Sequence, residues 1–228
     1  MNDMKVTALL PMKEHSSRVP DKNIRKFVNE PLFYKILYEL HSSLFIDRII
    51  INTDSELIAK MAEKKSDQIV IHIRPDELKG DYVSMNLILK YDIEHCDADV
   101  YLQTHSTNPL LRQQTINSAI QKYFQAIEEG YDSLFSVTRY QTRLYDSNGK
   151  AVNHNPNELI RTQDLPVLFE ENSCLYIFSR QSFTQNADNR IGRNPYMFEI
   201  NKTEAIDIDT EEDFKIAQAI YQLKTGSV

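Results

Sequence analysis

Cysteine is scarce in this sequence: two in 228 residues, Cys96 within a helical pattern and Cys174 within an apolar strand-like run. Two isolated thiols supply neither a disulfide framework nor a Cys-rich metal site, so both are expected to be reduced packing residues. Positive charge is in deficit too, with 26 Lys and Arg against 33 Asp and Glu and a net charge of −7. That balance lacks the clustered basic excess with which nucleic-acid binders meet a phosphate backbone. No nucleic-acid partner is expected, and any polyanion must be met by a local basic cluster. No window approaches the ~18 apolar residues of a membrane span, and the N-terminal stretch does not set a basic region before a long apolar one. A cytoplasmic location without a membrane partner is therefore expected. No fixed-period repeat or low-complexity stretch is present either.

What the chain does have is alternation. Its 41% hydrophobic content over 228 residues suits one domain spanning 1–228. A strand over 5–11 is followed by a helix marked by Phe33, Ile36, Leu37, Leu40 and Leu44, and then by a strand over 48–53. Leu57, Ile58, Met61 and Ala62 mark the next helix, 69–73 a strand, Leu87, Ile88 and Tyr91 a helix, and 100–103 a strand. Ile116, Ile120, Tyr123, Phe124 and Ile127 mark a further helix leading to a strand over 133–139. Repeated βα winding of this kind predicts an α/β, Rossmann-like three-layer fold with a mostly parallel sheet. Residues 140–171 break the rhythm and read as an inserted arm whose apolar residues, among them Tyr145, Leu159, Leu165 and Phe169, are expected to pair two copies in a homodimer. The chain returns through 175–178 and 196–200, reaches an extended segment over 206–209, and closes with a helix that carries Phe214 and Ala217, capped by Thr210 or Asp209.

Two segments carry chemistry on their face. The loop after the first strand holds Lys13, Ser16, Ser17, Arg18, Lys22 and Asn23. In an α/β sheet it lies at the strand's carboxyl end, where ligands bind, and its cations suit a triphosphate. The glycines and Gly-Lys-Ser/Thr of a Walker loop are absent, and a solvated surface loop has the same composition. The second segment is Ile206-Asp207-Ile208-Asp209-Thr210 before the last helix. Residues two apart on an extended chain project to one side, so Asp207 and Asp209 can face one hard cation, magnesium being the expected ion. As a capped turn the same residues need no ion.

Taken together these segments resemble the acylneuraminate cytidylyltransferases. In the first loop Ser16, Pro20, Lys22 and Asn23 match the family and Lys13 stands for its Arg. Ser17 occupies the place of a phosphate-binding Lys, and Arg18 that of a Gly. The likeness runs through Pro31-Leu32, through the run from Asn52 to Ser55, and through Arg74-Pro75-Asp76-Glu77-Leu78, implying a nucleotide site of Lys13, Ser16, Lys22, Asn23, Arg74, Asp81, Val83 and Ser84. It also implies sugar contacts from Gln103, from Thr104 or Thr107, from Arg161 and Gln163 in the arm, and from Asn172 and Tyr176. Ser173 replaces a family Gly, and Glu170 and Glu171 replace residues that often include Arg. Asp207 and Asp209 fall on the family's Asp-Ile-Asp-Thr. His105 has no recognisable base or nucleophile beside it and is expected to be a hydrogen-bonding residue.

The resemblance implies transfer of CMP from CTP to the anomeric hydroxyl of a 2-keto acidic sugar with release of pyrophosphate. Lys22 and Lys13 or Arg18 would lie on phosphate oxygens, with Mg²⁺ on Asp207 and Asp209. An eight-carbon ulosonate acceptor, a metal-dependent nucleotide-sugar glycosyltransferase and a non-catalytic nucleotide-binding module are the competing expectations.

Overall fold

The computed structural model describes residues 4–226. The chain runs through β1 (Val6–Leu9), a short hairpin of β2 (Lys26–Phe27) and β3 (Glu30–Pro31), α1 (Phe33–His41), β4 (Ile46–Thr53), α2 (Glu56–Glu63) and β5 (Ile69–Ile73). It continues through α3 (Met85–Glu94), β6 (Val100–Gln103), α4 (Gln113–Glu128), β7 (Ser133–Tyr140), β8 (Leu168–Phe178), α5 (Arg180–Gln185), β9 (Pro195–Glu199) and α6 (Glu211–Thr225). Among the described residues no helix is long and apolar enough to cross a membrane.

Seven strands form one sheet in the order β5-β4-β1-β6-β8-β7-β9. The pairs β1–β4, β1–β6, β4–β5 and β7–β9 are parallel, while β8 runs antiparallel to both β6 and β7. Alternating side chains feed the two faces, as the two-residue period of a strand requires. Ala8, Ile49, Ile51, Leu102, Leu175 and Ile177 join α1, α2 and α4 in one core. Leu9, Ile50, Tyr101, Tyr176 and Phe178 join α3 and α5 in the other. The expected three layers are present.

A third, smaller core lies outside the sheet. Val19 of the first loop, Phe27 and Leu32 beside the hairpin, Leu110, Ile208, and Phe214 and Ala217 of α6 pack together there. Phe27 meets the rings of Phe214 and Tyr221 edge-on, each at 5.6 Å, and Arg25 lies 4.4 Å over Phe214. The last helix therefore docks on the loop and hairpin that follow the first strand.

Several expectations are corrected. The extended segment 206–209 joins no sheet, because its backbone is bonded to loops and to α6 instead of a ladder. The return strand begins at Leu168, so Tyr140 and 168–171 belong to the β7–β8 ladder and the arm proper is shorter. Leu44, expected on α1, lies beyond its end and is 83% exposed. Leu57, Leu87 and Ile127 are also exposed, since each helix buries one stripe, Ile58 and Ala62 on α2, Leu89 and Ile93 on α3, and Ile116, Ile120 and Tyr123 on α4. The β2–β3 hairpin and α5 had no legible period.

Candidate active site

Chain order sets where a ligand can lie. From β1 the winding moves outward to β4 and β5, then returns to place β6 on the other side of β1. The carboxyl ends of β1 and β6 thus flank a topological switch point, the place where open α/β sheets bind ligands. The loop at 10–23, the loop at 104–112 and the segment 206–209 converge there.

The first loop is fixed by few contacts. Asn23, buried, donates to the Lys13 carbonyl at 2.7 Å and accepts from Ser106 at 2.7 Å. Lys13 forms an ion pair with Asp81, in the loop that leads to Ser84, the N-cap of α3. Arg74 is buried beneath this loop, donating to the Asn52 side chain at 2.8 Å and to the Asn52 carbonyl at 3.2 Å. Asn52 is held in turn by Asp92 at 2.7 Å. Burial holds the Arg74 pKa below its ordinary value, offset in part by Asp54 and Asp92. Of the nucleotide candidates, Lys13, Asn23, Arg74 and Asp81 are thus connected, while Ser16 and Val83 are half-buried.

The carboxylates stand on the segment 206–209, which the first loop touches directly through Lys22 and Arg18. The Ile208 N–H donates to the Thr107 carbonyl at 3.0 Å, and the Lys22 ammonium donates to the Ile208 carbonyl at 2.5 Å. Ile208, fully buried, nails the segment into the third core, and Asp207 and Asp209 line a cleft of about 430 Å³ whose other walls come from β7, β8 and residues 202–213, not from the first loop. Arg18 pairs with Asp209 at 2.7 Å, and the Thr107 side chain bonds Asp207. Burial, joined by the charge of Asp209, raises the Asp207 pKa against the pull of Thr107 and Lys22. Burial also lowers the Lys22 pKa, opposed by Asp207 and Asp209. Among the described residues no group of three His, Cys, Asp or Glu side chains could hold a metal. A pair of carboxylates is nevertheless a fitting donor set for Mg²⁺, which takes one or two of them and completes its shell with water and phosphate oxygens.

On the sugar side the outcome is mixed. Gln103 is buried at the end of β6; its amide N–H groups go to the Thr104 carbonyl and the His105 Nε2, both at 2.9 Å, and its Oε1 accepts from Arg190 at 2.7 Å. Tyr176 lies under the same guanidinium, 3.6 Å from its ring, with its hydroxyl donated to Glu171. Asn172 lines the cleft, but its amide bridges Ser136 at 2.6 Å and Thr138 at 2.9 Å inside the irregular stretch of the β7–β8 ladder. Of the two threonines, Thr107 reaches the carboxylates, whereas the Thr104 hydroxyl is buried without a partner. Arg161 pairs with Asp164 at 2.7 Å within the arm, and neither it nor Gln163 lines the cleft. Sequence reasoning passed over Arg190 and Asp213. The first sits in an aperiodic Asn-Arg-Ile-Gly-Arg-Asn-Pro run that gives no signal; Asp213, three residues after Thr210, was legible as half of a capping box.

A family model described as Cytidylyltransferase matches residues 7–226. The post-translational flagellin modification protein B of Campylobacter coli is 29% identical over 217 residues, 92% of each chain. The N-acylneuraminate cytidylyltransferase A of Danio rerio is 26% identical over 93% of this chain, which spans 50% of that protein's length. The pseudaminic acid cytidylyltransferase of Campylobacter jejuni is 25% identical over 98% of this chain and 99% of its own. Among solved structures, CMP:2-keto-3-deoxy-manno-octonic acid synthetase complexed with CTP shares the fold, with a TM-score of 0.71 at 13% identity over 96% of this chain and 99% of that one.

Proposed function

The chain belongs to the cytidylyltransferase family, and from that premise we propose that it transfers CMP from CTP to the anomeric hydroxyl of a 2-keto acidic sugar, an acylneuraminate or related nonulosonate, releasing pyrophosphate. The observation that carries this reading is the pairing of Asp207 and Asp209 on one cleft wall with Lys22 reaching the carbonyl between them. A nucleotide-sugar glycosyltransferase is not favoured by a cytidylyltransferase match that spans 7–226.

The sugar hydroxyl attacks the α-phosphorus and releases its proton to solvent as the bond from the α-phosphorus to the oxygen bridging the β-phosphate breaks. Negative charge builds on the departing pyrophosphate, and the first loop offers Lys13, Arg18 and Lys22 to offset it. Burial lowers the proton affinity of the Lys22 ammonium, and the two carboxylates act to keep it charged. Arg18, in its ion pair with Asp209, can exchange that carboxylate for a phosphate oxygen, since a guanidinium serves both anions with the same fork. Asp207 and Asp209 would hold Mg²⁺, which when bound supplies Lewis-acid charge to the phosphate oxygens. The need for CTP would place the reaction in the cytoplasm.

Incubation with CTP, Mg²⁺ and a panel of eight- and nine-carbon 2-keto acidic sugars, read by product mass and pyrophosphate release, tests reaction and acceptor together. A CMP-sugar mass is expected from wild type. Asp207→Ala and Asp209→Ala are expected to lower turnover at least a hundredfold with the fold intact; retained turnover ends the metal assignment.

A further inference from the structure

Arg190 is a largely buried cation beside the candidate site that the reaction scheme above leaves without work. Its side chain is 18% exposed, stacked on Tyr176 and donating from Nη1 to Gln103. Its nearest carboxylate, Glu171, stands 3.9 Å off and already accepts the Tyr176 hydroxyl. Burial lowers its pKa, with only partial compensation from Tyr176 and Glu171. A guanidinium carries five donors in a planar fork, and among the described residues only the bond to Gln103 uses one. A largely buried cation so lightly paired is suited to take up an anion that arrives with a ligand.

The backbone that delivers Arg190 is braced on both sides. Ala187 and Asp188 before it adopt left-handed φ of 53° and 57°, a costly conformation for residues with a Cβ that tends to persist at functional sites. Lys90 of α3 ties Asp188 at 2.8 Å. After it, Gly192 passes so close to Asp132 that a Cβ would lie 2.1 Å from its Oδ1, and Asp132 accepts from the Arg193 N–H at 2.7 Å. Gln103 then aims the fork: because Arg190 can only donate, Oε1 faces it and the amide N–H groups face Thr104 and His105. His105, which accepts from the same Gln103 amide, feels the charges of both Arg190 and Lys22, so the guanidinium and the first loop's Lys22 share one neighbour.

We infer that Arg190 grips the carboxylate of the acidic sugar, with Gln103 and Tyr176 holding it in position. The inference rests on the proposed reaction. In a 2-keto acidic sugar the carboxylate is bonded to the anomeric carbon, the same carbon that bears the attacking hydroxyl. An arginine that holds the carboxylate by two parallel hydrogen bonds therefore fixes the nucleophile next to the phosphate loop. It also selects acid from neutral sugar, because a neutral group would leave the buried charge uncompensated.

The test compares wild type, Arg190→Ala and Arg190→Lys with the acceptor acid and its C1 amide, measuring KM for each sugar and for CTP by pyrophosphate release, and CTP binding by calorimetry. Arg190→Ala is expected to raise KM for the acid at least thirtyfold, to leave KM for CTP and CTP binding within threefold, and to abolish the preference for acid over amide. Arg190→Lys, which keeps the charge without the fork and guards against a misfolded alanine variant, should retain part of that preference. Preference kept in both variants overturns the inference, as does a rise in KM for CTP equal to that for sugar, which would assign the guanidinium to a phosphate. A wild type that binds CTP yet uses no acid of the panel overturns the reaction and the anchor together; turnover with an undiminished preference in the variants overturns the anchor alone.

Discussion

His105 is kept from protonation by the side chains around it. Gln103 presents an amide N–H to its Nε2, which must then be the unprotonated acceptor. Burial, with the charges of Arg190 and Lys22, brings its pKa down to about 3 from 6.5. The folded pKa lies below the unfolded one, so the unfolded chain takes up the proton first as pH falls. The stability from neutral His105 is complete above about pH 6.5 and declines by up to ~1.4 kcal/mol per pH unit toward pH 3. In His105→Asn, the fall in melting temperature between pH 6.5 and 4 should be shallower than in wild type, and parallel curves would count against this assignment. Single residues were the least legible scale. Lys22, Asp207 and Asp209 could be named because their types and spacing carry chemistry, whereas Arg190 owes its place to a loop with no period. Ser173 makes the converse point: its φ of 58° is one glycine adopts freely, which accounts physically for a glycine at the matching position of the resembled family.

Helix α6 shows how an element sets the site. Thr210 caps it by accepting from the Asp213 N–H at 3.2 Å, and Asp213 returns the favour through Oδ2, which accepts the Thr210 N–H at 2.8 Å and the Asp209 N–H at 3.1 Å. The two halves of this box have different consequences. Thr210→Ala removes a cap and should cost ~0.5–2 kcal/mol, a drop in melting temperature of a few degrees, with turnover within threefold. Asp213→Ala also frees the Asp209 backbone and should lower kcat by more than threefold; equal kinetics in the two variants would refute a positioning role for Asp213. The alternation of Ile206, Asp207, Ile208 and Asp209 was readable, and it does put Ile208 inward. Its absence from the sheet was not, because the partners of its backbone, Thr107, Lys22 and Asp213, lie on a loop, another loop and a helix.

For the whole molecule, the βα winding read from hydrophobic period is the winding observed up to β6. Beyond it β8 reverses direction, a choice made by tertiary pairing with β6 and β7 that a run of apolar residues does not encode. The arm keeps Leu165 for its own chain at 2% exposure, yet leaves Leu159 at 93% and Tyr145 half-open, and Phe169 at the start of β8 is half-open too. We propose that these pair two copies, so sedimentation at micromolar concentration should give twice the 26.6 kDa chain mass, and Leu159→Asp should shift it to one; a monomeric wild type refutes the dimer. The docking of α6 on the first loop reaches further than the resting structure. Lys22 and Ile208, Arg18 and Asp209, and Arg25 and Glu211 are joined across almost the full length of the chain. During synthesis at ~5–20 residues per second, Lys22 must wait for 186 further residues to be added before Ile208 exists to receive it. A nascent chain that has emerged only as far as α4 therefore holds one member of each of these pairs without the other.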